Sequence, residues 1–336
     1  MRGLKFKIHN SKLTIAALAL TTVLLSTAPF VEAQQAKKLP RIGWLSAASS
    51  SAEFPEKQAL DGLRALGWAE GKNVVIEYRY AGGNAERLSQ LAAELVRLNV
   101  DVIVTFSAGV TAAKRATGTI PIVFGTSQNP VGMAYVASLA RPGGNLTGVT
   151  FLTDELSGKR LELLKEAIPG ISRAAIVWEP AHVDNEFKGM QAVAPGLGVR
   201  FQSVEVPRPA RPDEVARAIR AALDGRAEAV ILAPGGFTIF NRKPIIELAA
   251  KSRLPVISAW RIFADDGALL TYGPNLSEIS GRIAYFVDKI LKGTKPADLP
   301  VEQPTKFEFI INLKTAKQIG LTIPPNVLAR ADRVIK

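Results

Sequence analysis

The chain has 336 residues and no cysteine, which excludes disulfides, Cys-based zinc sites and thiol nucleophiles. Its formal net charge is +12, from 42 Lys and Arg against 30 Asp and Glu. The basic residues are dispersed, with no run of adjacent Lys or Arg longer than two, so the charge favours solubility rather than a nucleic-acid partner.

The N-terminus has the order of a secretory signal peptide. Four basic residues are followed by an uncharged apolar run over 13–25 and by the small-residue site Val31-Glu32-Ala33. A membrane anchor is the alternative, but a spanning helix needs about 20 apolar residues and this run is shorter. We therefore expect residues 1–33 to be removed and the mature chain to begin near Gln34.

The expected compartment follows from the same residues. No long apolar stretch comes after Ala33, and the signal ends without a cysteine that could be lipidated. An exported protein that is not lipid-anchored needs a closed compartment outside the inner membrane. The sequence therefore predicts a periplasmic location.

Short apolar runs and amphipathic patterns alternate after the signal. Most of the runs are continuous and rich in Val and Ile, as in parallel strands that are covered on both faces. The first set of predicted strands covers 41–45, 74–78, 102–105, 120–124 and 146–151. The second set covers 174–178, 200–206, 229–232, 255–258 and 268–271, and a last strand is predicted at 306–311.

Patterns with helical periodicity lie between the predicted strands. Asn84 can cap a helix in which apolar residues recur with helical spacing from Leu88 to Leu98. Similar patterns cover 53–66, 156–167, 213–223, 239–250 and 276–291. Repeated βα units imply an α/β fold with parallel sheets, and about 300 mature residues imply two doubly wound lobes.

Several motifs carry a family resemblance. LARPGGNLTG over 139–148 and LSGKRLELLKE over 156–166 resemble the ABC-transporter substrate-binding proteins, in the family that includes tryptophan and tyrosine receptors. Matching pieces lie in order along the mature chain at 41–45, 120–124, 129–132 and 267–273. The resemblance implies a type I periplasmic binding fold, a small-molecule ligand and an ABC permease in the inner membrane.

The resemblance also implies how the chain is divided. Two lobes joined by a hinge are expected, with a closing segment that crosses back to the first lobe. The expected boundaries are 1–33 for the signal peptide, 34–152 plus 277–336 for lobe I, and 153–276 for lobe II. We expect a monomer.

Ligands of open parallel sheets bind beyond the carboxyl ends of the strands, where helix N-termini offer free N–H groups. The turns at those ends supply the candidate ligand-binding residues. They are Ser46, Ser107, Thr111, Ser127 and Asn129 in the first lobe, and His182, Gly235, Phe237, Trp260 and Arg261 in the second.

These candidates have structural alternatives. Ser107 and Thr111 could cap the following helix, and Asn129 before Pro130 could be a turn former. Many relatives are expected to carry Asp in place of Asn129, and its absence removes one partner for an α-amino group. Trp260 and Phe237 could stack on a planar ligand, whereas Arg261 could pair with a carboxylate or be solvated.

Enzyme motifs are largely missing. Residues 105–109 (TFSAG) resemble a nucleophile elbow but lack its first Gly, and no phosphate-binding glycine motif follows a strand. His182 is the single His after the signal peptide, so no catalytic role, metal or cofactor is predicted. The predicted function is that of an importer's solute receptor. A receptor that reports to a membrane signalling partner is the alternative, and a periplasmic hydrolase is a third.

Overall fold

The computed structural model describes residues 38–47, 56–82, 84, 86–151, 156–180, 186–207, 210–211 and 213–336, with the backbone alone at 277. The predicted signal peptide and His182 lie outside these residues. Among the helices of the described part, none combines the length and hydropathy needed to cross a bilayer.

The first sheet contains five parallel strands in the order β2-β1-β3-β4-β5. Most of their residues are buried because both faces of the sheet are covered, which agrees with the continuous apolar runs of the sequence. The strands are β1 (Arg41–Ser46), β2 (Val75–Tyr80), β3 (Val102–Phe106), β4 (Ile122–Thr126) and β5 (Leu146–Thr150).

The second sheet contains seven strands in the order β12-β11-β10-β9-β8-β6-β7. All neighbours are parallel except β10 and β11, which are antiparallel. The strands are β6 (Arg173–Trp178), β7 (Arg200–Glu205), β8 (Ala229–Leu232), β9 (Val256–Ser258), β10 (Leu270–Pro274), β11 (Phe307–Asn312) and β12 (Arg333–Ile335).

Helices alternate with the strands and confirm the predicted βα order. The first six are α1 (Glu56–Ala65), α2 (Arg87–Arg97), α3 (Ala108–Ala116), α4 (Ser157–Ala167), α5 (Glu186–Val193) and α6 (Glu214–Asp224). The others are α7 (Gly236–Phe240), α8 (Arg242–Lys251), α9 (Arg261–Asp265), α10 (Leu276–Leu291), α11 (Leu313–Ile319) and α12 (Pro325–Leu328).

Helix α10 returns to the first lobe and packs along α1. The two helices approach closely at Gly62, where an added Cβ would lie 2.9 Å from the Cβ of Ala284. Trp68, just after α1, donates a hydrogen bond from Nε1 to Asp288 of α10 at 3.0 Å. Residues 296–302 then line the edge of β5, where Glu302 accepts from the Thr150 N–H and donates to the Gly148 carbonyl, each at 2.9 Å.

The chain then leaves the first lobe again, which corrects the expectation that all of 277–336 belongs to it. Strand β11 pairs antiparallel with β10, and β12 pairs with β11, so residues 307–335 complete the second sheet. The physical reason is the open edge of β10, whose free N–H and C=O groups β11 satisfies. Judged from the described elements on either side, the chain thus passes between the lobes three times, after Phe151, near 274–276 and near 303–306.

Candidate ligand-binding cleft

The carboxyl ends of the strands carry the turns that the sequence predicted as ligand-binding. In the first lobe these turns follow β1, β3 and β4, which are neighbours in the sheet. In the second lobe they follow β6, β8 and β9, which are also neighbours. Adjacent turns at one sheet edge can act together on a small ligand.

The turn between β3 and α3 has an unusual backbone. Ser107 adopts φ 44° and ψ −111°, a left-handed conformation that non-glycine residues rarely take. Its N–H donates to the Gly125 carbonyl at 2.9 Å, which fixes the turn against β4. Outlying conformations of this kind concentrate at ligand sites, where the surrounding structure holds them.

The Ser107 hydroxyl does not cap α3. It makes no hydrogen bond to any residue of the described part, although Ser107 occupies the N-cap position. Gly109 allows the helix to begin close to β3, because an added Cβ there would lie 2.0 Å from Thr105 Oγ1. The first turn of α3 therefore presents a free hydroxyl at the positive end of the helix dipole.

Thr111 lies four residues further along α3 and does not act as a cap either. Its Oγ1 lies 2.7 Å from the hydroxyl of Tyr135, which in turn donates to Gln128 Oε1 at 3.0 Å. Tyr135 and Gln128 are both buried. Gln128 belongs to the turn after β4 that the sequence predicted as ligand-binding, whereas Tyr135 was not predicted, since it stands in a stretch without helical or strand periodicity.

The other predicted residues of the first lobe have different surroundings. Ser46 is buried and donates to the carboxylate of Glu56 at the start of α1. Ser127 is buried at the exit of β4. Asn129 is exposed, and its Oδ1 accepts from the N–H groups of Val131 and Gly132, each at 3.0 Å. Asn129 therefore acts as a turn former, which was the structural alternative to ligand binding.

In the second lobe, Gly235 and Phe237 lie against a buried carboxylate. Glu179 follows β6, and its Oε2 accepts from the Phe237 N–H at 2.8 Å. A Cβ on Gly235 would lie 2.5 Å from the same oxygen, so the glycine permits this approach. The sequence pointed to Gly235 and Phe237 and to the turn that begins at Glu179, but it did not indicate the contact between them.

Trp260 is buried at the start of α9 and faces the first lobe. Its ring meets that of Phe151, which follows β5, with centroids 5.8 Å apart and planes at 84°. Arg261 is exposed and donates from Nε to Asp265 at 3.3 Å, which fits its solvated alternative. Trp260 therefore belongs to the contact between lobes, whereas Arg261 lies on the surface.

A buried ion pair supports the second lobe next to these turns. Arg160 of α4 and Glu186 of α5 are both 0 % exposed, and Arg160 Nη2 lies 2.7 Å from Glu186 Oε1. Arg160 also donates from Nη1 to the Tyr272 carbonyl at 3.4 Å, near the second passage between the lobes. No group of three or more His, Cys, Asp or Glu in the described part could hold a metal ion.

Two α/β lobes with parallel sheets and three chain passages define a type I periplasmic binding fold. Solved substrate-binding proteins with this fold resemble the chain over most of its length. The family model described as ABC transporter substrate binding protein matches residues 55–335. The chain belongs to this family, as the sequence motifs indicated.

Individual proteins resemble the chain over most of its length. A "Tyrosine-binding protein" of Clostridioides difficile is 26% identical over 274 residues, covering 81% of this chain and 78% of the relative. A conserved domain protein from Vibrio cholerae is 28% identical with a TM-score of 0.80, covering 88% of this chain and 100% of that one. A Streptococcus pneumonia ABC domain in complex with L-Trp is 23% identical with a TM-score of 0.79, covering the same shares.

Proposed function

We propose that this protein is the periplasmic solute receptor of an ABC importer and that its ligand is a small carboxylate-bearing molecule with an aromatic group, such as an aromatic amino acid. One observation carries the proposal. The Ser107 hydroxyl, without a partner in the described part, stands at the N-terminus of α3 on the edge where open α/β sheets bind ligands. Hydrogen-bond donors at a helix N-terminus suit an anionic group.

The second lobe supplies an aromatic wall. Trp260 projects toward the first lobe and contacts Phe151, so each lobe carries an aromatic ring where the two lobes meet. Both rings are 3% exposed, and they become accessible to a planar ligand when the lobes separate. The names of two similar proteins, a tyrosine-binding protein and a domain in complex with L-Trp, support the same ligand class. Closure of two lobes around the ligand is the expected response of such a receptor.

Thermal-shift screening of the purified protein tests the ligand class. The panel is L-tyrosine, L-tryptophan, L-phenylalanine, a sugar and a nucleoside. At 100 times its Kd, the true ligand stabilises the folded protein by about 2.7 kcal/mol. Stabilisation by the sugar or the nucleoside alone would contradict an amino-acid-like ligand, and binding of tyrosine without import in a strain carrying the cognate permease would contradict the transport role.

The periplasmic location has its own test. Processing after Ala33 produces a chain that begins at or near Gln34. Mass spectrometry of a periplasmic extract should find this N-terminus. A full-length chain retained in the membrane fraction would contradict export by a cleaved signal.

A further inference from the structure

A directed chain of side-chain hydrogen bonds runs from α3 to the exit of β4. Tyr135 Oη lies 3.0 Å from Gln128 Oε1, and a carbonyl oxygen can only accept, so the phenolic proton points toward Gln128. The tyrosine oxygen therefore accepts from Thr111 Oγ1 at 2.7 Å. The direction is thus Thr111 to Tyr135 to Gln128.

This chain fixes the orientation of the Gln128 amide. Because Oε1 is held by Tyr135, the amide nitrogen cannot occupy that side, and its two N–H groups point elsewhere. Gln128 is only 7% exposed, and its Nε2 donates no hydrogen bond to any residue that the structure describes. The nitrogen is not fully enclosed by protein atoms either, so an oriented amide without a partner in the described part remains available to an acceptor group of a ligand.

Gln128 and Ser107 are close in the fold. Gln128 follows β4 and Ser107 follows β3, the two strands pair as far as Phe106 and Gly125, and the Ser107 N–H bonds to the Gly125 carbonyl. Ser107 and Thr111 are four residues apart and share one face of α3. The free hydroxyl of Ser107 and the free amide of Gln128 therefore flank the first turn of this helix.

We propose that Gln128 donates a hydrogen bond to the carboxylate of the ligand beside Ser107, and that Tyr135 is a positioning residue that holds the Gln128 amide in the donating orientation. The inference rests on the proposed function and names a specificity-determining residue for it. Neutral hydrogen-bond donors bind a carboxylate well, because its oxygens accept from them. A carboxamide is bound less well, because it carries no negative charge and its NH2 group cannot pair with the NH2 group of Gln128.

Tyr135 is suited to this role at neutral pH. Burial raises the pKa of its hydroxyl, and this effect exceeds the opposing influence of the Thr111 hydrogen bond and of the nearby Arg115 charge. The hydroxyl therefore remains protonated and continues to donate to Gln128. Lys114 contributes to the placement of Tyr135, since its ammonium donates to the Ala134 carbonyl and lies 6.0 Å from the ring centroid.

The test compares L-tyrosine with L-tyrosinamide by calorimetric titration of the full protein. Wild type should bind tyrosine more tightly than tyrosinamide. Gln128→Glu keeps the size of the side chain and an acceptor for Tyr135, but it places a negative charge against the ligand carboxylate. This substitution should weaken tyrosine binding by at least about tenfold and make tyrosinamide the preferred probe.

Tyr135→Phe removes the orienting hydroxyl and keeps the ring. It should reduce the ratio of the affinities for tyrosine and tyrosinamide about threefold or more, since the loss of one hydrogen bond changes an affinity by about that factor or more. The control is Tyr78→Phe, which removes the hydroxyl of a half-buried tyrosine that donates to Glu70 at 3.1 Å, on strand β2, where no candidate ligand-binding residue lies. Tyr78→Phe should leave the preference unchanged.

The outcomes distinguish a failure of the proposed ligand class from a failure of the roles proposed for Gln128 and Tyr135. If wild type binds neither probe, the proposed ligand class itself fails. If wild type binds tyrosine but Gln128→Glu keeps the wild-type preference in a folded protein, Gln128 does not contact the carboxylate. If Gln128→Glu inverts the preference while Tyr135→Phe behaves like Tyr78→Phe, the positioning role of Tyr135 is overturned.

Discussion

Phe151 and Trp260 meet edge to face across the two lobes, with ring centroids 5.8 Å apart and both side chains 3% exposed. Phe151 ends the last strand of the first sheet, and its N–H bonds to the Thr126 carbonyl at 2.8 Å. Trp260 begins α9 in the second lobe. The contact is therefore an apolar link between elements that are anchored in different sheets.

Phe151→Leu and Trp260→Leu should show coupled effects on stability. An edge-to-face ring pair contributes about 0.5–1.5 kcal/mol beyond the apolar area that it buries, and the double variant should reveal a coupling of that size. Urea unfolding of wild type, both single variants and the double variant measures it. If the stability losses of the two single variants simply add up in the double variant, the two rings do not stabilise the contact between the lobes.

Ser107→Ala should weaken ligand binding about tenfold, because a hydrogen bond to a charged group contributes about 1.5–3 kcal/mol. Stability should change little, since the Ser107 side chain makes no cap hydrogen bond. The control is Ser252→Ala, which removes a half-buried hydroxyl that bonds to the Leu248 carbonyl at the end of α8. Titration of both variants with the ligand found by screening tests this prediction. If the two variants bind the ligand with equal affinity, the turn at Ser107 is not part of the site.

Glu186→Gln should destabilise the protein by about 3–5 kcal/mol, because it removes the negative charge that lies 2.7 Å from the buried guanidinium of Arg160. The control is Glu162→Gln on α4, whose partner Lys159 lies 2.8 Å away on the surface; its loss should be about 1 kcal/mol or less. Urea unfolding of both variants gives the comparison. Similar losses would mean that the Arg160–Glu186 pair is solvated in solution.

Glu228→Gln should change how stability depends on pH. The Ser172 N–H bond at 2.7 Å, with help from the Arg173 backbone and guanidinium, holds the pKa of Glu228 below its ordinary value. A depressed folded-state pKa contributes stability above the unfolded pKa that is lost as the pH falls through the folded one. The stability difference between wild type and Glu228→Gln should therefore shrink from about pH 6 to about pH 3.

The matched control for that measurement is Glu247→Gln. Glu247 is exposed on α8 and has no ion pair or side-chain hydrogen bond within the described residues. Its variant should follow wild type over the whole acid range. A difference between wild type and Glu228→Gln that stays constant with pH would contradict the role assigned to the Ser172 and Arg173 contacts.

The strands were predictable because parallel strands buried on both faces leave continuous apolar runs, as VIVTF of β3 does. Strand β12 was missed because three residues carry no periodicity, and its place depends on pairing with β11. The pattern over 239–250 was predicted as one helix, but the structure contains α7 and α8 with Asn241 between them. Pairing partners that are distant in sequence cannot be inferred from local patterns.

From the sequence, the candidate site could be predicted only as a set of turns at the ends of strands. Ser107 and Trp260 lie at strand ends, and this location follows from chain order alone. What each side chain does there depends on contacts between separate elements. Tyr135 lies 24 residues from Thr111, and Glu179 reaches a helix that begins 57 residues later, so no local spacing indicated either contact.

The return of α10 to the first lobe has a consequence for the order in which the protein can be completed. All five strands of the first sheet are synthesised by residue 150, yet the helix that covers α1 and the segment that lines β5 come only after residue 275. Until they arrive, Gly62 faces no partner helix and the outer edge of β5 stays unpaired. A nascent chain shorter than about 300 residues therefore holds an unfinished first lobe, in which α1 and β5 still lack the contacts that α10 and residues 296–302 supply.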